Sequence, residues 1–158
     1  MIKAIVAADD KLGIATDTGI PWDLPTDKAY FREQTTGSPI LMGYRMYQEL
    51  EQPLPDRQNL VAVRPDTQLR PGFVGAENIT ALLDEYQNSP ATLWIVGGAA
   101  LYQKLLDRTQ TIYITRVQGD FSCSKFFPSF EEYFKLMNKA KPITENGLTF
   151  HYEVWERL

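Results

Sequence analysis

The sequence predicts an α/β fold: a central, mostly parallel sheet with helices on both faces and a C-terminal antiparallel hairpin. Three observations carry this. Runs rich in Ile, Val and Ala at 2–8, 39–42, 58–63, 92–96 and 111–116 read as strands, and helix-like segments separate them. Parallel neighbours need crossover connections, which helices usually supply. The tail breaks the alternation: Glu145-Asn146-Gly147 stands as a turn between KPIT and LTFHYEVW, so residues 140–157 read as a hairpin added to the sheet. No repeat, low-complexity stretch or long linker divides the 158 residues, so one domain over 1–158 is expected.

Composition narrows the function classes. A domain of this length buries about two thirds of the surface that its unfolded chain exposes, so neither disulfide nor structural metal is needed. The apolar share of 44% and charged share of 23% are those of a folded globular protein. One cysteine, Cys123, and one histidine, His151, make neither an internal disulfide nor a metal site by themselves. The first apolar run is too short for a membrane span and is followed by acidic residues, which makes the cytoplasm the expected compartment. A net charge of −4 offers no general attraction for nucleic acid, so an anionic ligand would need local groups.

Taken along the chain, the first feature is Asp9 to Ile20, a dozen polar and glycine-containing residues between the first strand and Pro21-Trp22. Its length suits either a functional lid or an inert surface loop. Pro25 suits the first position of a helix, which puts Asp27 in the first turn. There it either compensates the helix dipole or, with Phe31 on the same face and Trp22 before the helix, borders an aromatic pocket. In the second case it needs a partner, and no Arg or Lys shares its face. Gly43 after PILM and Gly97-Gly98 after TLWIV sit where a strand feeds a helix, and two such glycine sites suit a dinucleotide's phosphates. Their spacing is neither a Rossmann fingerprint nor a P-loop. Arg45 and Arg64 either share a phosphate there or are solvated surface residues. Trp94 and Trp155 fall in strand-like runs and are expected in the core or on a sheet face, with His151 a strand residue and Cys123 a loop thiol.

Taken together, GIPWDLPTDKAYF, PILMGYRMYQEL followed by PLPDRQN, WIVGGAALYQKLL and TIYITRV resemble, in order and over nearly the whole chain, the dihydrofolate reductase family. The resemblance implies that family's fold and hydride transfer from NADPH to C6 of 7,8-dihydrofolate, with protonation at N5. It also implies a monomer without nucleic-acid or membrane partners, and no metal. Asp27 would accept hydrogen bonds from the pterin, with Thr115 as a second polar partner and Trp22 holding a water beside the carboxylate. Ile5, Phe31, Leu50 and Leu54 would wall the pterin and aminobenzoyl rings, and Arg57 would pair with the glutamate tail. Ala7, Ile14, Ile20, Ala99 and Tyr102 would contact the cofactor, with Tyr102 near the nicotinamide. Gly97-Gly98 would be a cis peptide, and Gly43, Arg45 and Arg64 would take the adenosine phosphates. Residues 9–20 would be the lid.

Several residues depart from the family pattern. Tyr44 stands where an arginine is frequent, and Met46 where a hydroxyl residue commonly touches the pyrophosphate, which implies weaker cofactor binding. Lys28 replaces a frequent apolar residue and either reaches the glutamate tail or is solvated. Ser124 replaces an acidic residue that holds the closed lid, a task for which Asp120 is the expected substitute. A ribosylamino-pyrimidine reductase of the same fold and a non-catalytic pterin- or nucleotide-binding protein are the competing readings. The segment from Pro21 to Phe31 favours the pterin, because the pyrimidine has no amidine edge requiring an Asp beside aromatic walls.

Overall fold

The computed structural model describes residues 1–158. Its strands are β1 (Ile2–Ala8), β2 (Gly13–Ala15), β3 (Ile40–Met42), β4 (Asn59–Ala62), β5 (Phe73–Ala76), β6 (Leu93–Gly97), β7 (Thr111–Val117), β8 (Lys125–Phe126), β9 (Phe134–Lys139), β10 (Ile143–Glu145) and β11 (Leu148–Arg157). The α-helices are α1 (Pro25–Thr35), α2 (Tyr44–Glu49), α3 (Ile79–Gln87) and α4 (Ala99–Leu105). The main sheet runs β10-β11-β7-β1-β6-β3-β4-β5, and β9 pairs with the far half of β11. From β7 to β5 every pairing is parallel, whereas β11 joins β7, β9 and β10 antiparallel.

Side-chain alternation explains the two layers of helices, because neighbouring residues of a strand point to opposite faces. Ile2, Ala4 and Val6 of β1 join Leu41, Ile95, Ile112 and Ile114 on the face covered by Leu83 of α3 and Leu101, Tyr102 and Leu105 of α4. Ile5 of the same strand joins Ile40, Met42 and Trp94 on the other face, under Tyr47 of α2 and Tyr30 and Phe31 of α1. Ile2, Leu41, Ile95 and Ile112 are wholly buried. Each such side chain contributes about 1.5–3 kcal/mol relative to exposure.

The expected hairpin forms, with Asn146 (φ 53°) and Gly147 (φ 76°) as its two turn residues. Positive φ at both positions is what a tight two-residue hairpin turn demands, and Asn-Gly meets that demand at least strain. Four short strands stand outside the sequence reading. β5 extends the parallel sheet by one strand, β9 continues the edge beyond β10, and β2 pairs with β8 in a separate ribbon. Parallel direction puts the carboxyl ends of β1, β3, β4 and β6 along one edge, where open α/β sheets bind ligands. Trp94 is buried edge-on to Tyr113, and Trp155 packs edge-on to Phe130. No helix is long and apolar enough to cross a membrane.

Candidate active site

Asp27 is placed by the start of α1, which lacks a side-chain cap of its own because its N-cap residue is Leu24. Glu145, the last residue of β10, accepts a hydrogen bond from the Thr26 backbone N–H (3.0 Å) and another from the Thr26 hydroxyl. Asn146 Nδ2 donates to the Asp23 carbonyl at 3.0 Å. The tail hairpin therefore caps the helix from outside, satisfying donors that a helix start leaves free. Leu24 anchors the same turn, buried with Val117 and Phe150.

The Asp27 carboxylate accepts one protein hydrogen bond, from the Thr115 hydroxyl to Oδ1 at 2.7 Å. Thr115 is buried in β7, directly opposite Ala7 of β1 and Tyr152 of β11. No cation pairs with Asp27; Lys28 instead pairs with Asp23 at 2.9 Å, both well exposed. Burial pushes the Asp27 carboxyl above its ordinary value, the Thr115 hydroxyl pulls it back, and the Glu145 charge pushes it up again. Beside it Tyr30 stacks on Tyr152 at 3.9 Å, and burial raises both phenols to about 12. The Tyr152 hydroxyl is buried without a partner.

Ile5 is buried in the core cluster under α1 and α2, and Phe31, Leu50 and Leu54 pack against that cluster, so the four expected wall residues belong to one apolar region. Arg57 is held at its border, donating from Nε to the Pro55 carbonyl (2.8 Å) and from its guanidinium to the Thr35 hydroxyl (2.8 Å). Burial lowers its pKa, Asp56 opposes this, and the nearby Arg32 lowers it further. Arg32, which the sequence reading did not single out, thus places a second guanidinium in the same region. Trp22 packs edge-on to Phe121, with centroids 5.1 Å apart.

The two glycine turns lie side by side. The Gly43 N–H donates to the Gly97 carbonyl at 2.8 Å, and the Gly97-Gly98 peptide is cis, as expected. Gly97 has φ +124°, a region that glycine enters freely. A Cβ on Gly98 would meet nothing within 4 Å, so the backbone there faces open space. Ala99 opens α4 just beyond. Tyr102 lies behind the turn: its hydroxyl donates to the Ile5 carbonyl at 2.6 Å, and burial pushes its phenol far above the usual range. That proton is held in the core.

Arg64 lines a cavity of about 640 Å³ with Tyr44, Thr67, Glu77 and Lys104. Arg45, though exposed one residue after Tyr44, does not line this cavity, so the two arginines are not brought together there. Met46 packs into the core cluster under α2. Glu77 and Lys104 were missed by the sequence reading. The signal was the short run FVGA of β5, whose parallel pairing with β4 delivers Glu77 to the edge that carries Arg64.

The segment 9–20 is stitched down at its base. Asp9 is buried, its carboxylate accepting from the backbone N–H groups of Lys11 (2.9 Å), Gly13 (2.7 Å) and Phe121 (3.1 Å). β2 then pairs with β8, burying Ile14, and the Ser124 N–H donates to the Ala15 carbonyl at 2.9 Å. The Ser124 hydroxyl donates to Asp17 Oδ1 at 2.8 Å, so here the acid sits on the 9–20 segment and the hydroxyl on the facing loop. Asp120 is engaged with Lys11 at 2.9 Å. Beyond this base Ile20 is 68% exposed.

These features can be set beside known proteins. The dihydrofolate reductase family model matches residues 1–157. A dihydrofolate reductase of Bacillus subtilis is 32% identical over 157 residues, covering 97% of this chain and 91% of that protein. One from Drosophila melanogaster is 30% identical, covering 97% and 96%. The solved structure of dihydrofolate reductase from Enterococcus faecalis, complexed with NADP(H) and RAB-propyl, superimposes with a TM-score of 0.88 at 24% identity over 99% of this chain. Matched from end to end by the family model, and at about a third identity by proteins of bacterial and animal origin, the chain belongs to the dihydrofolate reductase family.

Proposed function

We propose that the protein reduces 7,8-dihydrofolate to tetrahydrofolate with NADPH, and that Asp27 orients and polarises the pterin. The observation that carries this is the half-buried Asp27 carboxylate, which accepts a single protein hydrogen bond and has no cation beside it. A buried carboxylate with spare acceptor sites suits a ligand edge bearing paired N–H donors. A pterin's 2-amino group and ring N–H form such an edge, and Ile5, Phe31, Leu50 and Leu54 offer the apolar surface for its rings. Arg57, with Arg32 nearby, suits the anionic glutamate tail.

The cofactor side also fits. The open backbone before Gly98, the adjoining Gly43 turn and the cationic cavity beyond Tyr44 suit a dinucleotide's phosphates and adenosine. Ala7 of β1 and Ile14 of β2 would meet the nicotinamide through their backbones, and Ile20 would contact it from the lid. When bound, the reduced nicotinamide supplies the hydride delivered to C6. Asp27 holds the pterin so that N5 becomes more basic, and Trp22 holds a water beside the carboxylate. With Asp27 taken up by the pterin's 2-amino and ring N–H groups, the proton for N5 would arrive through a water under the lid. Thr115 fixes the carboxylate, and Tyr102, bonded to the Ile5 carbonyl, holds β1 against α4 behind the nicotinamide.

The test is loss of nicotinamide absorbance that depends on dihydrofolate. Turnover supports the reading. Turnover of the ribosylamino-pyrimidine and none of dihydrofolate overturns it.

A further inference from the structure

The cavity beyond Tyr44 contains a charge that the proposed cofactor does not ask for. Arg64 and Lys104 line it, as a phosphate would require, yet Glu77 lines it with them. Glu77 Oε1 accepts a hydrogen bond from the Asp66 N–H at 3.2 Å, in the loop that follows Arg64. No salt bridge joins Glu77 to Arg64, to Lys104 or to any other cation. No ion pair within the protein therefore offsets the acidic side chain among the residues lining the cavity.

A phosphate monoester at neutral pH carries a charge of about −1.5 to −2, so an uncompensated carboxylate beside it is repulsive. A ribose hydroxyl is the opposite case. An acidic side chain accepts a hydrogen bond from it, which is how dinucleotide sites recognise a ribose without a 2′-phosphate. Tyr44, 43% exposed at the mouth, adds an aromatic surface and no charge.

We propose that Glu77 is a specificity-determining residue that narrows the preference for a 2′-phosphorylated dinucleotide, so that the protein also accepts the form with a free ribose hydroxyl. Arg64 and Lys104 favour the phosphate and Glu77 favours the hydroxyl, and the balance sets the ratio. The inference rests on the reading of this cavity as the adenosine side of the cofactor site.

Two fragments isolate that side without turnover: 2′,5′-ADP, which carries the extra phosphate, and 5′-ADP, which does not. Their affinities are measured by titration calorimetry for the parent protein, Glu77→Gln and Arg64→Gln. Because both side chains are exposed, the variants are expected to fold, and a thermal melt checks this. Glu77→Gln is expected to tighten 2′,5′-ADP about threefold to tenfold, as removal of an exposed like charge should, and not to tighten 5′-ADP. Arg64→Gln is expected to move the ratio the other way. An unchanged ratio of the two affinities in Glu77→Gln overturns the role of Glu77. Failure of the parent to bind either fragment overturns the placement of the cavity. Dihydrofolate-dependent oxidation of NADPH by the parent, assayed alongside, separates both failures from failure of the reductase reading itself.

Discussion

Asp27 and Glu153 are both half-buried or buried carboxylates at the β7–β11 side of the sheet, and their surroundings differ in one respect. Glu153 is surrounded by protein donors: Arg116 Nε (2.9 Å) and Trp155 Nε1 (2.8 Å) donate to Oε1, and His151 Nε2 lies 2.7 Å from Oε2. Burial works against its charge, yet the hydrogen bonds from His151, Arg116 and Trp155 hold it below the ordinary glutamate value. Asp27 has Thr115 alone, and burial wins. A carboxylate whose partners are all internal is a structural device. One left short of partners marks where a ligand completes the site.

The comparison breaks most visibly under equivalent amide substitutions. Asp27→Asn is expected to lower dihydrofolate turnover by about 10²-fold or more at neutral pH, as loss of a preorganised charge does, while the protein still folds. The stability sign is opposite at the two sites. The raised pKa of Asp27 means that the folded state holds its proton more tightly, so stability falls as pH rises from the unfolded value through the folded one. Above that window the charge is a cost, and Asp27→Asn is expected to raise the melting temperature of the ligand-free protein. Glu153 has a lowered pKa, so its contribution is present above the ordinary glutamate value and is lost as pH falls through the folded one. Glu153→Gln is expected to cost about 1–3 kcal/mol at neutral pH in denaturant melts, with turnover little changed. A lower melting temperature for Asp27→Asn would mean that the native partners of Asp27 suffice.

Smaller changes sharpen the contrast. Thr115→Val removes the only protein donor to Asp27 without much loss of volume. It is expected to raise the pKa of Asp27 further and to weaken folate binding by about tenfold, read by fluorescence titration. His151→Ala leaves Glu153 two donors and is expected to cost only about 1 kcal/mol. Ser124→Ala removes one hydrogen bond at the exposed junction with Asp17, so its stability change is expected to stay under about 1 kcal/mol, with any effect seen in lid-dependent rates.

The parallel core was legible because its strands are apolar on both faces and separated by helices, and the hairpin because Asn146-Gly147 demands it. β5 was not legible: FVGA is four residues with Gly75 inside, and its Val74 is 46% exposed. With it went Glu77. β2 and β8 are held by Asp9 and backbone pairing, not by an apolar pattern of their own, so neither strand was legible within or opposite the expected lid segment. At the site, helix-start chemistry alone left Asp27 ambiguous, since its partner Thr115 is 88 residues away on β7 and meets it only because Leu24 and the tail hairpin hold the start of α1 there. The ordered motifs supplied that link. They did not show that Ser124 and Asp17 exchange chemical roles across the lid junction, or that Arg45 stands outside the cavity of Arg64.

The most direct measurement is a pH titration of the Asp27 carboxyl by carbon-13 NMR, in the free protein and with folate bound. A pKa above the ordinary aspartate value in the free protein, falling when the pterin's N–H groups complete the site, is the expected result. A pKa that stays where it was on folate binding would contradict the account.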